Sequence, residues 1–186
     1  MSDILWRRLA YFLSPQADLY EAIAPHLIDK SVLEVGFGTG FGVLHYAGVA
    51  DQVDAIEQDE EAVTFASRHF PLGGIRWING NILDIDIDRT FDAVVMIEVL
   101  EHIGDWEKAL RQVSKHLVRG GKLYLSARNA NADLRKNKLH EREWTAVELK
   151  AALSKYFASV TLYDYKLANE LDEDTHQTPL LAVATA

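Results

Sequence analysis

Short apolar runs alternate with helically spaced segments along most of this chain. Residues 32–35 form a β-branched run that ends in the glycine turn Gly36-Phe37-Gly38-Thr39-Gly40, and the residues after Gly40 take up helical spacing. Residues 53–57 read as a second strand and residues 60–70 as a helix, with Ala62, Val63, Phe65 and Ala66 on one face and Pro71 and Gly73-Gly74 ending it. Further strands are predicted at 75–78, 91–97 and 123–126, with an amphipathic helix over 106–117 stopped by Gly120-Gly121. Upstream, residues 4–13 have mixed helical spacing. Ser14-Pro15 reads as an N-cap followed by proline at the first helical position, so two short helices should precede the first strand.

A strand-helix alternation of this kind implies a parallel sheet built from right-handed crossovers, with ligands at the carboxyl edge of the strands. The tail departs from it. After a helix over 145–156, two strand-like runs at 159–166 and 180–185 are joined only by a polar, acidic segment, which predicts a C-terminal antiparallel hairpin.

Composition narrows the picture. The 186 residues, 48% of them hydrophobic, suit one domain over 1–186 with residues 1–29 as an N-terminal helical cap. No apolar stretch approaches the roughly 20 residues needed to cross a bilayer, so no membrane partner and a cytoplasmic location are expected. The absence of cysteine excludes disulfides, thiolate metal sites and a cysteine nucleophile. A net charge of −9 works against broad attraction to a polyanion, and a nucleic-acid partner is not expected on that ground.

The glycine spacing decides between cofactors. A dinucleotide fingerprint needs G-x-G-x-x-G, but from Gly36 the third glycine falls on Phe41 and from Gly38 on Val43. The run Glu34-Val35-Gly36-Phe37-Gly38-Thr39-Gly40 instead resembles motif I, E/D-x-G-x-G-x-G, of the class I S-adenosylmethionine-dependent methyltransferases. The resemblance implies S-adenosyl-L-methionine as cofactor. It also implies a Rossmann-like α/β fold, a mostly parallel seven-stranded sheet with helices on both faces and the terminal antiparallel hairpin. Glu34 is an acid in an apolar strand, where burial without partners costs several kcal/mol. In the resembled family this position bonds to the glycine-loop backbone or, through water, to the methionine amino group. Glu57, ending the second strand, would accept hydrogen bonds from both ribose hydroxyls, with Gln58 beside it and Asp59 as the N-cap of the next helix. Gly80-Asn81-Ile82-Leu83-Asp84 resembles the adenine loop, Asn81 offering its carbonyl to the adenine amino group and Ile82 its backbone amide. Turn chemistry alone also accounts for that loop. Ile97, at the end of the fourth strand, completes the expected cofactor set of Glu34, Gly36, Gly38, Gly40, Glu57, Gln58, Asn81, Ile82 and Ile97.

Phe91-Asp92-Ala93-Val94-Val95-Met96-Ile97-Glu98-Val99-Leu100-Glu101-His102 resembles the F-D-x-V-x-x-x-E-V-L-E-H segment of methyltransferases near the ubiquinone-biosynthesis O-methyltransferases and the small-RNA 2′-O-methyltransferases. The Asn-Pro-Pro-Tyr sequence of enzymes that methylate exocyclic base amines is absent, which favours oxygen acceptors or less demanding nitrogen ones. Glu98 and His102 are the expected catalytic pair, His102 being suited to general-base work by its unperturbed pKa near 6.5. Two readings of the cluster stand side by side. Glu98, Glu101 and His102, joined by His140 from Leu139-His140-Glu141-Arg142-Glu143-Trp144-Thr145, could hold a divalent cation, as that segment's likeness to the small-RNA enzymes implies. Alternatively Glu98 and His102 shape a metal-free pocket, as in the many relatives with the same string. Nothing in the sequence requires metal. The expectation is therefore no metal, activity that survives chelation, and His140 more than about 6 Å from both carboxylates.

Residues 128–138 form a polar, basic loop in an acidic protein, readable as a solvated loop or as a lid selecting an anionic substrate. Trp6, Tyr11 and Tyr20 could cover the cofactor but are better read as packed on the sheet. His26, His45, His69, His116 and His176 show no ligand spacing. The functional expectation is S-adenosylmethionine-dependent O-methylation of a small-molecule acceptor. The alternatives are a metal-assisted RNA 2′-O-methyltransferase and a non-catalytic cofactor-binding regulatory module.

Overall fold

The computed structural model describes residues 15–132 and 138–186. The helix expected over residues 4–13, the Ser14 N-cap of the helix that follows it and the tip of the 128–138 loop lie outside them. The elements run α1 (Pro15–Ile23), β1 (Ser31–Val35), β2 (Gln52–Glu57), α2 (Glu60–His69), β3 (Ile75–Asn79), β4 (Phe91–Ile97), α3 (Trp106–Lys115), β5 (Leu117–Ala127), α4 (Ala146–Leu153), β6 (Ser159–Tyr163) and β7 (Leu180–Thr185). One seven-stranded sheet has the order β3-β2-β1-β4-β5-β7-β6. β1 to β5 pair in parallel, and β7 pairs antiparallel with both β5 and β6. The expected tail hairpin thus inserts its second strand next to β5 and leaves β6 at the edge.

Side chains of β4 alternate between two cores, as a strand buried on both faces requires. Val94 and Met96 pack with Leu110 and Val113 of α3 and Leu149 and Leu153 of α4, while Ala93, Val95 and Ile97 pack with Leu19 and Ile23 of α1 and Ala66 of α2. Each of the last three helices starts on a side-chain cap that satisfies orphan amides. Asp59 accepts from the Glu61 and Ala62 amides, Asp105 from that of Lys108, and Thr145 and Glu148 form a reciprocal capping box.

Two boundaries differ from the expectation. No α-helix forms between Gly40 and β2. The segment makes i to i+3 bonds and a 3₁₀ turn at Val43–His45, because the chain must reverse within a few residues to begin β2 and must bring Tyr46 beneath β1. Likewise Gly120-Gly121 does not stop α3. The helix closes at His116, whose carbonyl accepts from Phe91 N at 2.8 Å and opens the β4–β5 ladder. Gly120, with φ +79°, then sits inside β5, where the register with β4 shifts between Phe91 and Ala93.

Glu34 joins these layers. It lies on the α1 face of β1 with no solvent exposure, and its two carboxylate oxygens accept from Tyr20 Oη of α1 and Tyr46 Oη of the 3₁₀ segment, each at 2.5 Å. The expected partner was the glycine-loop backbone or the cofactor. The structure supplies two tyrosines instead, and Tyr20 also fills the space beside Gly42, where a Cβ would meet its ring at 2.2 Å. Burial raises the Glu34 carboxyl from 4.5 to about 8, against the lowering effect of the two hydroxyls.

That shift makes a prediction for stability. Below the ordinary value near 4.5 the group is protonated in both states and its contribution is full; it is lost as the pH rises toward about 8, since over that interval only the unfolded chain releases the proton. Denaturant unfolding should show stability falling with pH across this window, by about 1.4 kcal/mol per unit for one such group. Glu34→Gln should flatten the slope, and an unchanged slope would place the ionised form in the fold.

Candidate functional site

A cleft of about 320 Å³ opens at the carboxyl edge of β1, β2 and β4, lined by Glu57, Gln58, Asn81 and Ile82 on one side and Glu98 and His102 on the other, with Gly36 and Val99 next to each other between them. Gly36 has φ +73°, and a Cβ there would stand 2.5 Å from Val99 Cγ2. The glycine lets the backbone turn under the cleft floor without displacing Val99. Glu57 fixes the loop above it, accepting from Gly38 N at 2.9 Å and Asp59 N at 3.0 Å. A carboxylate has about four lone-pair sites, so it retains acceptor capacity for two ribose hydroxyls. Asn81 uses its carbonyl to close a turn on Leu83 N at 2.9 Å and its amide to reach Gln58 Oε1 at 3.2 Å. The oxygen expected for the adenine amino group is thus already engaged within the loop.

At the other end the chain leaves β4 through Glu98 at φ +55°, a conformation uncommon for a residue with a side chain. Ser126, the penultimate residue of β5, holds it: the Glu98 amide donates to Ser126 Oγ at 3.0 Å, and that hydroxyl donates to Glu98 Oε1 at 2.9 Å. Burial raises the Glu98 carboxyl. The 3₁₀ turn Leu100–His102 follows and buries Glu101 completely. Among the described residues neither Glu101 oxygen meets a donor in full hydrogen-bond geometry, although the backbone of Glu101 itself and of Arg128 lies close enough to lower its pKa; burial and the neighbouring Glu98 outweigh them and push the carboxyl up.

Two segments distant in sequence are stitched together at this point. The amides of Glu141 and Arg142 donate to the Glu101 carbonyl at 2.8 and 3.2 Å, and His102 Nδ1 donates to the Leu139 carbonyl at 3.0 Å. His140 is thereby carried to the cluster, its ring centroid 4.8 Å from that of His102. Ligand atoms of Glu101, His102 and His140 all lie within 4.8 Å of one another. The expectation that His140 would stand more than about 6 Å from both carboxylates is therefore overturned. Its reason was that metal-free relatives carry the same string and nothing in the sequence requires metal; pattern alone does not show the backbone bonds from 141 and 142 that draw His140 in. Glu101, His102 and His140 form a donor set suited to a divalent cation, with Glu98 of the expected set beside rather than among them.

Of the sequence-predicted residues, Gly36, Glu57, Gln58, Asn81, Ile82, Glu98 and His102 line the cleft. Glu34 and Ile97 are buried behind it. Gly40 packs instead against Trp77 and Ala66, with 3.0 Å available to a Cβ, and Gly38 acts through its amide on Glu57. Sequence reasoning missed Tyr46, Ser126 and Glu143. Ser126 carried a signal, being a hydroxyl in an apolar strand; Tyr46 and Glu143 carried none beyond residue type.

The methyltransferase-domain family profile matches residues 33–125, half of the chain. The chain belongs to the class I S-adenosylmethionine-dependent methyltransferase family. A probable S-adenosylmethionine-dependent methyltransferase of Mycobacterium tuberculosis is 31% identical over 149 residues, covering 77% of this chain and 54% of the relative. The ubiquinone biosynthesis O-methyltransferase of Rickettsia akari is 26% identical, covering 56% and 42%. The chain thus spans about half the length of these curated relatives. Among solved structures, the N-methyltransferase NodS of Bradyrhizobium japonicum, in complex with S-adenosyl-L-homocysteine, superposes with a TM-score of 0.67 at 20% identity, over 91% of this chain and 84% of that one. The methyltransferase fold is shown, with S-adenosylmethionine as the family's cofactor. Among the described residues no helix is long and apolar enough to cross a membrane.

Whether the Glu57 side of this cleft holds the cofactor is testable by calorimetry with S-adenosylhomocysteine. Glu57→Ala should weaken binding by about 1.5–3 kcal/mol, the range for hydrogen bonds to charged groups. Gly36→Ala forces Val99 aside and should cost about 1–3 kcal/mol of stability together with cofactor affinity. Unchanged affinity in both variants would move the cofactor out of the cleft.

Proposed function

We propose that the protein catalyses cation-assisted O-methyl transfer from S-adenosylmethionine to an acceptor carrying two neighbouring hydroxyls. One observation carries the reading: the fully buried carboxyl of Glu101, which no donor among the described residues reaches in full hydrogen-bond geometry, lies within 4.8 Å of ligand atoms of His102 and His140. An isolated buried carboxylate is costly, and cation coordination is one of the few ways to compensate it.

The cofactor, when bound, supplies an electrophilic methyl group for in-line displacement. Glu57 holds its ribose hydroxyls, and Gly36 and Val99 shape the floor beneath it. Glu101, His102 and His140 would hold the divalent cation, which supplies Lewis acidity that lowers the pKa of an acceptor hydroxyl. His102 donates its Nδ1 proton to Leu139 O, so Nε2 is the nitrogen it presents to the cluster. Glu98, raised by burial and held by Ser126, accepts the acceptor's proton beside them. The chain's task is thus to position two hydroxyls and remove one proton, with no covalent enzyme intermediate.

The small-molecule reading draws on the likeness to the ubiquinone biosynthesis O-methyltransferase, 26% identical over 106 residues. A ribose 2′-hydroxyl of RNA is the second reading, favoured by the presence of His140 in the cluster and opposed by the net charge of −9. A basic lid that would select an anionic acceptor falls partly on residues 133–137, outside the described structure.

Methyl transfer to a catechol, a nucleoside and a short RNA should fall at least tenfold with a chelator and return on adding Mn²⁺ or Mg²⁺, and Glu101→Ala should reproduce the chelator's effect. Undiminished turnover in chelator would overturn the cation reading and return the site to a metal-free O-methyltransferase. No turnover on any hydroxyl acceptor would favour a cofactor-binding regulatory module.

A further inference from the structure

We propose that Glu143, fastened by Arg128, is a positioning residue that sets the tautomer and orientation of His140 for cation binding; the inference rests on the cation reading above. Glu143 Oε1 stands 3.1 Å from His140 Nδ1 and 2.9 Å from Arg128 Nε. A carboxylate accepts from both, so His140 carries its proton on Nδ1 and coordinates through Nε2. His102 is set the same way, its Nδ1 donating to the Leu139 carbonyl at 3.0 Å. Both imidazoles therefore take their tautomer from one short segment, residues 139–143.

The geometry is that of an outer support. All three side chains are largely buried, with 8% exposure for His140, 17% for Glu143 and 21% for Arg128, so the pair is shielded from the solvent screening that weakens surface ion pairs. Arg128 immediately follows β5, and its carbonyl accepts from Trp144 N at 3.1 Å. The guanidinium that grips Glu143 is consequently anchored to the same sheet edge that positions Ser126 and Glu98. Trp144, almost fully buried and stacked edge-on against Trp106 at 4.9 Å, pins the other side of the segment. A carboxylate behind a ligating imidazole fixes the ring and raises its basicity, and loss of such a support typically lowers metal affinity 10–100-fold. Sequence position alone does not give Glu143 this role, because Glu141 lies as close to His140 and turns its amide to Glu101 instead.

The test is calorimetric titration of Mn²⁺ into the cofactor-free protein, with S-adenosylhomocysteine affinity and the thermal midpoint measured on the same samples. Glu143→Ala should bind Mn²⁺ about 10–100-fold more weakly while S-adenosylhomocysteine affinity stays at the wild-type value. Glu143→Gln, which keeps the size and an acceptor oxygen, should recover most of the loss; Arg128→Met, which unfastens Glu143, should weaken Mn²⁺ binding in the same direction and decides the matter if Glu143→Ala does not fold. Wild-type Mn²⁺ affinity in Glu143→Ala, or in Arg128→Met where the alanine variant does not fold, overturns the role of Glu143 and leaves the cation site standing. A loss of Mn²⁺ binding accompanied by an equal loss of S-adenosylhomocysteine binding overturns it as well, since that marks general collapse. Wild-type protein that takes up no Mn²⁺ overturns the cation reading itself.

Discussion

The Glu98–His102 side of the cleft depends on a buried carboxyl that no donor among the described residues reaches in full hydrogen-bond geometry. Glu101 is fully buried, faces a second buried carboxyl and is pushed up to about 8. Two like charges in one desolvated site cannot both persist unless something of opposite charge joins them. The surrounding backbone is arranged to keep Glu101 there: its carbonyl takes two amides from the 141–142 segment, which fixes the turn from the far side. The positive φ of Glu98 belongs to the same arrangement. A residue held in a sparsely populated conformation by two bonds to one serine is local strain stored where the site needs it.

The Glu57 side obeys a different logic. Here each acid is satisfied by the protein itself: Glu57 by two amides of its own loop region, Glu34 by two tyrosines. These contacts keep the glycine turn ordered and tie α1 to the sheet beneath it. One cleft therefore has a side organised by completed hydrogen bonds, proposed for the cofactor, and a side organised around uncompleted ones, proposed for the acceptor. The sheet topology places both at the carboxyl edge of the parallel strands, where a methyl donor and an acceptor can meet.

Much of this was legible in the sequence, because alternating burial on a two-sided sheet writes itself into apolar runs. β4 was readable to the residue, and the tail hairpin followed from two strand-like runs without room for a crossover. Glycines misled where they serve packing. Gly120 and Gly121 look like a helix stop but lie within β5, and Gly40 resembles a cofactor contact but makes room for Trp77. The cluster residues Glu98, Glu101, His102 and His140 could be named from motif likeness, yet their convergence could not, since it depends on amide bonds across some forty positions of sequence. Glu143 and Tyr46 act through their position in space alone, and no spacing rule points to them.

Crystals grown with Mn²⁺ and S-adenosylhomocysteine, with diffraction recorded at an energy where manganese scatters anomalously, test the central claim most directly. The account predicts one strong anomalous peak about 2.0–2.3 Å from an oxygen of Glu101 and from Nε2 of His102 and His140. Clear density for the nucleoside against Glu57, with no anomalous peak among those three side chains at saturating Mn²⁺, would contradict it.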